Sequence, residues 1–278
     1  MKSVKLFLSK LPLSTKLAGG FILSIIIISI FASSIAPFPY DRQDTLNSLA
    51  SPGYPYWMGT DRLGRDLLSR IIYGARISLF VGISTTVAAL IIGVIYGTIS
   101  GYIGGRTDSV MMRVVDVIFS LPDLLLIILI TVLMGRGLMG IFIALTLVSW
   151  VTTARLVRGE TLKLKESQFV EASRALGANH LRVMFREILP NLWGILIVTL
   201  SFRIPVAILS ESTLSFVGLG IAPPYSSWGT LTNEGWMAVK FYPHLIVFPS
   251  LAIFITILSF NLFGDGLRDI LDPKGKTE

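Results

Sequence analysis

A run of 29 residues without a charged side chain separates Arg76 from Arg106. About 20 apolar residues carry an α-helix across the hydrocarbon core of a bilayer, where a helix satisfies its own backbone hydrogen bonds. The run therefore predicts a membrane-spanning helix with room for tilt. The rest of the chain has the same character, since 53% of its 278 residues are hydrophobic and only 15% are charged. This composition indicates a multi-pass membrane protein and excludes a soluble globular core.

Five further apolar stretches complete the predicted membrane domain. They lie at about 17–35, from the polar loop at 106–116 to 134, at 138–154, at 191–214 and within 241–264. The sequence therefore predicts an all-α membrane protein with six transmembrane helices. Its expected parts are an N-terminal helix with an external segment at 1–75, a core of five helices at 76–265 and a cytoplasmic tail at 266–278.

The positions of lysine and arginine predict the orientation of these spans. Sixteen of the 24 basic residues lie in the N-terminus, in the loop at 106–113, in the segment at 155–186 and in the tail. Basic residues accumulate on the cytoplasmic side of membrane proteins, so both termini are expected in the cytoplasm. Topology thereby accounts for the net charge of +7, and no nucleic-acid partner is expected.

Between the first two spans, a stretch that begins at Asp66 has apolar residues at helical spacing, with Arg70 and Arg76 between them and Arg65 just before. This pattern is typical of an amphipathic helix that lies on the membrane surface. We expect the helix on the external side, as a structural brace in preference to a substrate contact.

A strongly polar segment precedes the fifth predicted span. Ser167 can cap a first helix at 168–176, and Gly177 suits the left-handed residue that ends a helix. Asn179 can cap a second helix that reaches Pro190, at the threshold of the span. The segment is thus predicted to form two short helices separated by a glycine. Such a shape suits a groove on a soluble partner.

The residues that give this segment its pattern are Glu171, Ala172, Ser173, Leu176, Gly177, Leu189 and Pro190. In this order and spacing they resemble the EAA loop in permease subunits of binding-protein-dependent ABC importers. Ser173 stands where alanine is often found, and Ile188 lies one place later than in the commonest form. The resemblance implies the type I ABC importer permease fold, with these residues coupling the permease to a cytoplasmic ATPase.

Three other stretches resemble the dipeptide, oligopeptide and nickel permeases of this family. They lie at 59–76, 214–229 and 260–273, and read GTDRLGRDLLSRIIYGAR, LSFVGLGIAPPYSSWG and FNLFGDGLRDILDP. The resemblance implies a bacterial or archaeal cytoplasmic membrane protein that pairs with a similar, nonidentical permease. It also implies two cytoplasmic ATPases that bind ATP and magnesium, and an extracytoplasmic binding protein that delivers substrate. Peptides are the leading substrate, with nickel or a metal chelate as the alternative.

Catalytic and metal-binding motifs are absent from the sequence. No Gly-x-x-x-x-Gly-Lys-Ser/Thr segment is present to hold ATP phosphates, and neither His180 nor His244 has a metal-binding spacing. The chain is therefore expected to be a transport subunit without an ATP site, cofactor or metal of its own. A channel or an intramembrane enzyme is a distant alternative. The EAA loop argues against a channel, which needs no docking surface for an ATPase.

Ionisable residues inside the predicted spans are candidates for the transport pathway. Asp123, Arg203 and Glu211 fall in the third and fifth spans, with the first two near mid-membrane. A central charge is costly in lipid and usually faces a partner or a wet cavity. Two readings stay open: Asp123 and Arg203 pair with each other or with the companion permease, or at least Asp123 faces the pathway. The external loop after the fifth span adds Tyr225 and Trp228 as candidates.

Overall fold

The computed structural model describes residues 11–271. Lys2, Lys5 and Lys10, used in predicting the orientation, and the Asp272-Pro273 end of the last motif lie outside the described residues. Within them, a single turn of 3-10 helix forms at Thr45–Asn47 and a π-helical segment at Val183–Ile188. The α-helices are α1 Leu13–Ile30, α2 Ala32–Ile35, α3 Leu67–Ile103, α4 Gly105–Phe119, α5 Asp123–Met134, α6 Leu138–Lys165, α7 Gln168–Ala175, α8 His180–Arg182, α9 Leu189–Phe216, α10 Trp228–Trp236 and α11 His244–Leu271.

Five helical segments in this part of the chain are long and apolar enough to cross a membrane. They are α1, α3, α6, α11 and the continuous stretch His180–Phe216. A sixth crossing is formed if α4 and α5 act as one span, since they meet at a short break with an angle of 86° between them. The prediction of an all-α membrane protein is therefore confirmed, and its six predicted transmembrane helices correspond to these five segments and the α4–α5 pair.

The third predicted span is broken near its middle. A continuous helix to Met134 was expected from the sequence, but α4 ends at Phe119 and α5 begins at Asp123. Pro122 explains the break because its ring keeps the preceding residue out of the helical conformation and because it has no N–H to donate. Asp123 consequently lies at a helix start, not in a helix interior.

The predicted surface helix after Asp66 is instead the first part of α3, which continues without a break from Leu67 to Ile103. The Asp66 side chain caps this start by accepting a hydrogen bond from the Ser69 backbone N–H at 2.8 Å. Because no proline follows, the helix passes directly into the membrane span. A separate surface helix is therefore wrong. The expected part boundaries at 75 and 265 fall inside α3 and α11.

The close packing of α3 on α6 depends on glycines spaced four apart. A Cβ atom added at Gly93 would lie 2.6 Å from the Thr153 Cβ, and one at Gly101 would lie 2.9 Å from the Arg158 carbonyl oxygen. Only a hydrogen atom fits in these places, so the two helix backbones approach each other directly. α3 and α6 are therefore closely packed, and the segment at 168–188 follows directly from the end of α6.

The fifth span begins before Pro190, earlier than predicted. His180–Phe216 forms one helical stretch of 37 residues, with Pro190 in the first turn of α9. Proline has no backbone N–H to donate to the helix. The wider π turns at Val183–Ile188, just before Pro190, accommodate the changed hydrogen-bond pattern. The segment before Pro190 is thereby joined to the membrane span as one helix.

Candidate coupling surface

The coupling segment, residues 168–188, has the predicted helix–glycine–helix shape. α7 ends at Ala175, and Gly177 follows with a φ of +83°. This left-handed region favours glycine. The Asn179 side chain caps α8, since its oxygen accepts a hydrogen bond from the Arg182 backbone N–H at 2.8 Å. The conformation predicted for the glycine and the cap predicted at Asn179 are both confirmed.

Two serines hold α7 in place. Ser167 lies at the start of α7, but its hydroxyl donates to the Leu164 carbonyl in α6 and accepts nothing from the α7 backbone. The predicted cap at this residue is therefore wrong, and the hydroxyl ties α7 to the preceding helix. Ser173 donates to Glu187 Oε1 at 3.2 Å, which joins α7 to the π segment.

Three apolar side chains anchor the coupling segment to the membrane helices. Val170, Val183 and Ile188 are fully buried and pack in one cluster with Tyr102 of α3 and Val157 of α6. Burying a side chain of this size stabilises a fold by about 1.5–3 kcal/mol. The segment is therefore held along one apolar edge.

Tyr102 provides the polar attachment on the same edge. Its hydroxyl and His180 Nδ1 share a hydrogen bond of 3.0 Å. The guanidinium of Arg174 lies over its ring, with Cζ 5.3 Å from the centroid, a distance at which a cation is attracted to an aromatic face. One buried tyrosine thus contacts both helices of the coupling segment.

The outer face of the coupling segment carries apolar side chains with no cover in the described chain. Leu176 is 89% exposed and Phe169 is 41% exposed, beside the exposed Glu171 and Ala172. A Cβ atom added at Gly177 would have no neighbour within 4 Å, so the turn also faces open space. Exposed apolar groups rimmed by polar ones are typical of a protein-binding surface.

A bidentate ion pair fixes the helices that support this surface. Arg158 of α6 donates two hydrogen bonds of 2.5 Å to the carboxylate of Asp108 in α4, and the Ser100 hydroxyl of α3 donates to the same group. Paired guanidinium–carboxylate bonds are strong and directional. α3, α4 and α6 are therefore fastened together close to the end of α6, from which the coupling segment starts.

The two mid-membrane candidates do not form a direct pair. Asp123 is exposed at the first position of α5, where the helix dipole favours a carboxylate. Among the ion pairs of residues 11–271, none within 4.0 Å joins it to Arg203. Arg203 is half-buried and lines a cavity of about 20 Å³ with hydroxyl-bearing side chains, namely Thr86, Ser149, Thr153 and Ser210. A pathway role for either residue stays a prediction.

Glu211 lies in a closed polar contact between α9 and α3. Its side chain has no solvent exposure, and its carboxylate accepts hydrogen bonds from Ser215 at 2.7 Å and from Ser78 at 3.2 Å. Tertiary packing of α3 thus encloses a residue that the span pattern alone leaves open. A pathway role for Glu211 stays a prediction.

The external loop predicted after the fifth span is partly helical. Trp228 starts α10 and is fully buried, with its indole N–H donating to the Ile71 carbonyl at 3.0 Å. Trp228 is therefore a core residue and is unavailable for contact with a partner. Tyr225 is 57% exposed and stacks on Tyr40, with ring centroids 5.9 Å apart, so it stays accessible.

A group of paired charges at the opposite end of α3, of which Asp61, Arg65 and Arg70 are buried, was not predicted from the sequence. Arg70, only 1% exposed, contacts Asp61 Oδ2 at 2.6 Å and Glu234 Oε2 at 2.5 Å, while Arg65 contacts the same Asp61 oxygen at 2.6 Å. We call Asp61, Arg65, Arg70 and Glu234 the Arg70 cluster. The spacing of Asp61 and Arg65 hinted at a local pair. Glu234, 164 positions from Arg70, is beyond the reach of any local pattern.

These features define a class of protein. A bundle of apolar helices that exposes a helix–glycine–helix segment with uncovered apolar side chains is the membrane-spanning subunit of a larger assembly. Residues 89–276 match the family described as the binding-protein-dependent transport system inner membrane component. The chain belongs to this family, and the resemblance inferred from the EAA loop is confirmed. It is thus a multi-pass inner-membrane transport component.

Curated relatives cover nearly the whole chain. The oligopeptide transport system permease protein OppC of Bacillus subtilis is 46% identical over 253 residues, which are 91% of this chain and 83% of the relative. The dipeptide transport system permease protein DppC of Bacillus subtilis is 44% identical over 260 residues, 93% of this chain and 81% of the relative. The glutathione transport system permease protein GsiD of Pectobacterium atrosepticum is 43% identical over 263 residues, 94% of this chain and 87% of the relative.

A solved structure has the same fold. The structure described as inward facing conformations of the MetNI methionine ABC transporter contains a chain that matches with a TM-score of 0.61. The match covers 72% of this chain and 95% of that chain, at 16% sequence identity. At this identity the match supports the fold alone, which is the ABC importer permease fold expected from the EAA loop.

Proposed function

We propose that this chain is one of two permease subunits of an ATP-driven peptide importer, and that it forms half of the pathway for dipeptides or oligopeptides. The observation that carries the proposal is the exposed coupling segment of a chain that belongs to this transport family. The substrate class is supported by the relatives, whose names refer to oligopeptides, dipeptides and glutathione. All three substrates carry peptide-like amides and charged ends, and this common chemistry favours peptides over nickel or a metal chelate.

Energy enters through separate subunits. Two cytoplasmic ATPases bind ATP and magnesium and dock on the outer face of α7, where Leu176 and Phe169 supply apolar contacts and Glu171 a charge. The permease itself hydrolyses no ATP. Docking is also supported by the left-handed turn at Gly177, which follows α7 and has open space beside it.

The His180–Phe216 helix transmits the movement. Its 37 residues span about 55 Å at 1.5 Å per residue, from the coupling segment through Arg203 to Glu211 and the contact with α3. A displacement of α8 by the closing ATPases therefore tilts this helix as a rigid body about its far end, which Glu211 holds to α3. Transport follows as the pathway between the two permeases reorients.

The remaining partners complete the importer. A similar, nonidentical permease covers the apolar faces that the described helices leave exposed, and an extracytoplasmic binding protein delivers the peptide. Both termini lie in the cytoplasm. This orientation is supported by the basic residues around the coupling segment, and it requires α4 and α5 to act together as one span so that the number of spans is even.

Reconstitution tests the proposal. Proteoliposomes that contain this chain with its companion permease, the two ATPases and the binding protein are expected to accumulate a labelled tripeptide only when ATP is present. Labelled nickel should not accumulate. The purified chain alone should show no magnesium-dependent ATP hydrolysis. ATP-driven nickel uptake without peptide uptake would contradict the substrate class, and hydrolysis by the lone chain would contradict the division of labour.

A further inference from the structure

A deep groove separates the end of α3 from the helix that starts at His180. It encloses a cavity of about 920 Å³, within the range of small-molecule binding sites. Ile95, Ile99 and Ile103 form one wall, and Leu181, Phe185 and Leu189 form the other. Several of these side chains are exposed to the side, including Ile95 and Ile103 at 56% and Phe185 at 62%. The groove is therefore apolar and laterally open.

One end of the groove is positively charged. Lys165 and Arg174 line it beside Tyr102, with Lys165 Nζ 6.0 Å and Arg174 Cζ 5.3 Å from the tyrosine ring centroid. Among residues 11–271, neither cation has a carboxylate within 4.0 Å. The nearby carboxylate of Asp108 is already held by Arg158. His180 completes this end and supplies a further polar group.

The dimensions of the groove fit one leaflet of a bilayer. Along α3, the positions from Ile95 to Ile103 span about 12 Å at 1.5 Å per residue. The hydrocarbon of one leaflet is about 15 Å deep, half of the ~30 Å bilayer core. The charged end lies where α3 stops, at Ile103, and the apolar walls extend back along the membrane span. Polar and apolar parts thus follow the order of a lipid headgroup and its chains.

We propose that this groove binds an anionic phospholipid, with its phosphate at Lys165 and Arg174 and an acyl chain between α3 and the helix from His180. Charge complementarity selects this occupant, since two cations that no carboxylate of residues 11–271 neutralises, at the end of an apolar channel, match an anionic head on an apolar tail. A helix of a companion subunit could neutralise Lys165 and Arg174 only if it carried carboxylates of its own at this end of the groove. The bound lipid braces the coupling segment against α3, so the anionic lipid content of the membrane tunes coupling.

Quenching by brominated lipids tests this site in the assembled transporter. A bimane label on Phe185→Cys, in a chain without other cysteines, reports acyl chains in the groove. Brominated phosphatidylglycerol is expected to quench at a mole fraction about thirtyfold lower than brominated phosphatidylcholine, since both Lys165 and Arg174 attract the anionic headgroup. The double substitution Lys165→Gln and Arg174→Gln should abolish this preference.

The matched control is Lys163→Gln with Arg182→Gln, which removes the same charge from exposed positions outside the groove. It should leave the preference for phosphatidylglycerol intact. Equal quenching by the two lipids, an equal loss in both double variants, or a label that neither lipid quenches because protein covers the groove would each overturn the proposal. Because the readout is lipid binding, the result is independent of peptide uptake.

Discussion

The two ends of α3 meet very different surroundings. At its start, the buried Arg70 joins α3 to Glu234 of α10, whose side chain is 41% exposed, and Trp228 packs beside it without any exposure. At its end, the coupling segment is attached by a few apolar side chains and by the contacts of Tyr102, while Leu176 stands almost fully in the open. The buried charges of the first end are paired within residues 11–271. The second end leaves apolar side chains exposed, which an ATPase covers in the proposed importer.

This contrast shows which end of α3 is firmly held and which end is free to be displaced. A fixed end lets the His180–Phe216 helix move as one body about a firm point, because its far part is held to α3 through Glu211 and Ser78. A lightly held end can be displaced when an ATPase pulls on it. Substitutions at the Arg70 cluster should therefore unfold the chain, whereas substitutions in the coupling segment should spare the fold and stop transport.

The largest effect is expected for Arg70→Ala. Removal of this arginine leaves the buried carboxylate of Asp61 with less compensation, and breaking a buried ion pair typically costs about 3–5 kcal/mol. The free energy of unfolding, measured by SDS titration in mixed micelles, should fall by that amount. Arg62→Ala is the control, since Arg62 makes one exposed hydrogen bond to the Met237 carbonyl and should cost less than about 1 kcal/mol. Equal losses in the two variants would break the comparison.

A second large effect, on transport and not on folding, is expected for Gly177→Val. The left-handed φ of +83° is unfavourable for a β-branched residue by about 1–3 kcal/mol, although the space around the residue is open. Membrane insertion should be normal and peptide uptake should fall more than tenfold. Gly159→Val is the matched control, since that glycine also has no neighbour within 4 Å but lies within the α6 helix. Uptake at the wild-type level by the Gly177 variant would disprove its role.

A smaller, local effect is expected for Tyr102→Phe. The substitution removes the hydrogen bond to His180 and keeps the ring beneath Arg174. The loss of one such bond, about 0.5–1.5 kcal/mol, should speed hydrogen exchange of the α8 amides by roughly two- to tenfold and leave global stability nearly unchanged. Tyr54→Phe, at an 88% exposed position, should not alter α8. Unchanged exchange in both variants would remove Tyr102 as an attachment point.

The smallest effect is the pH dependence of the hydrogen bonds made by Asp44, in the segment that precedes the Arg70 cluster and α3. Asp44 accepts hydrogen bonds from the Asn47 side chain at 2.8 Å and the Tyr56 hydroxyl at 2.9 Å, and these bonds lower the pKa of the Asp44 carboxyl. Because the pKa of Asp44 is lower in the folded state, its hydrogen bonds stabilise the fold at pH values above the unfolded-state pKa of about 3.9. This stabilisation is lost as the pH falls through the folded-state pKa.

A fluorophore on Leu46→Cys should therefore gain mobility below about pH 4, as seen by fluorescence anisotropy. The Asp44→Asn variant should lack this transition, because it has no carboxyl to protonate. The same transition in that variant would assign the pH dependence to another group. The coupling segment should show no change that depends on Asp44.

The coupling segment was predictable because its determinants are local. A left-handed turn at Gly177 and a cap at Asn179 depend on residues within a few positions, and both were read from the sequence. The apolar spans were predictable for the same reason. Their ends were not, since hydropathy marks the part in lipid while α6 continues beyond it to Lys165.

The Arg70 end could not be predicted in the same way. Arg65 and Arg70 were assigned to an amphipathic helix on the membrane surface, but partners at Asp61 and Glu234 neutralise them and permit burial. Glu211 was interpreted as a pathway residue, although Ser78, 133 positions away, encloses it. Contacts between distant segments decide both outcomes, and no periodicity records them.

The most direct test of the account compares two exposed leucines, one at each end. The chain has no cysteine, so Leu176→Cys and Leu46→Cys, at positions 89% and 95% exposed, can be labelled singly with a membrane-impermeant maleimide in detergent. When the ATPase subunits are added, labelling at position 176 is predicted to slow at least tenfold, while labelling at position 46 stays unchanged. Equal labelling at position 176 with and without the ATPases would contradict the assignment of the coupling segment as their docking surface.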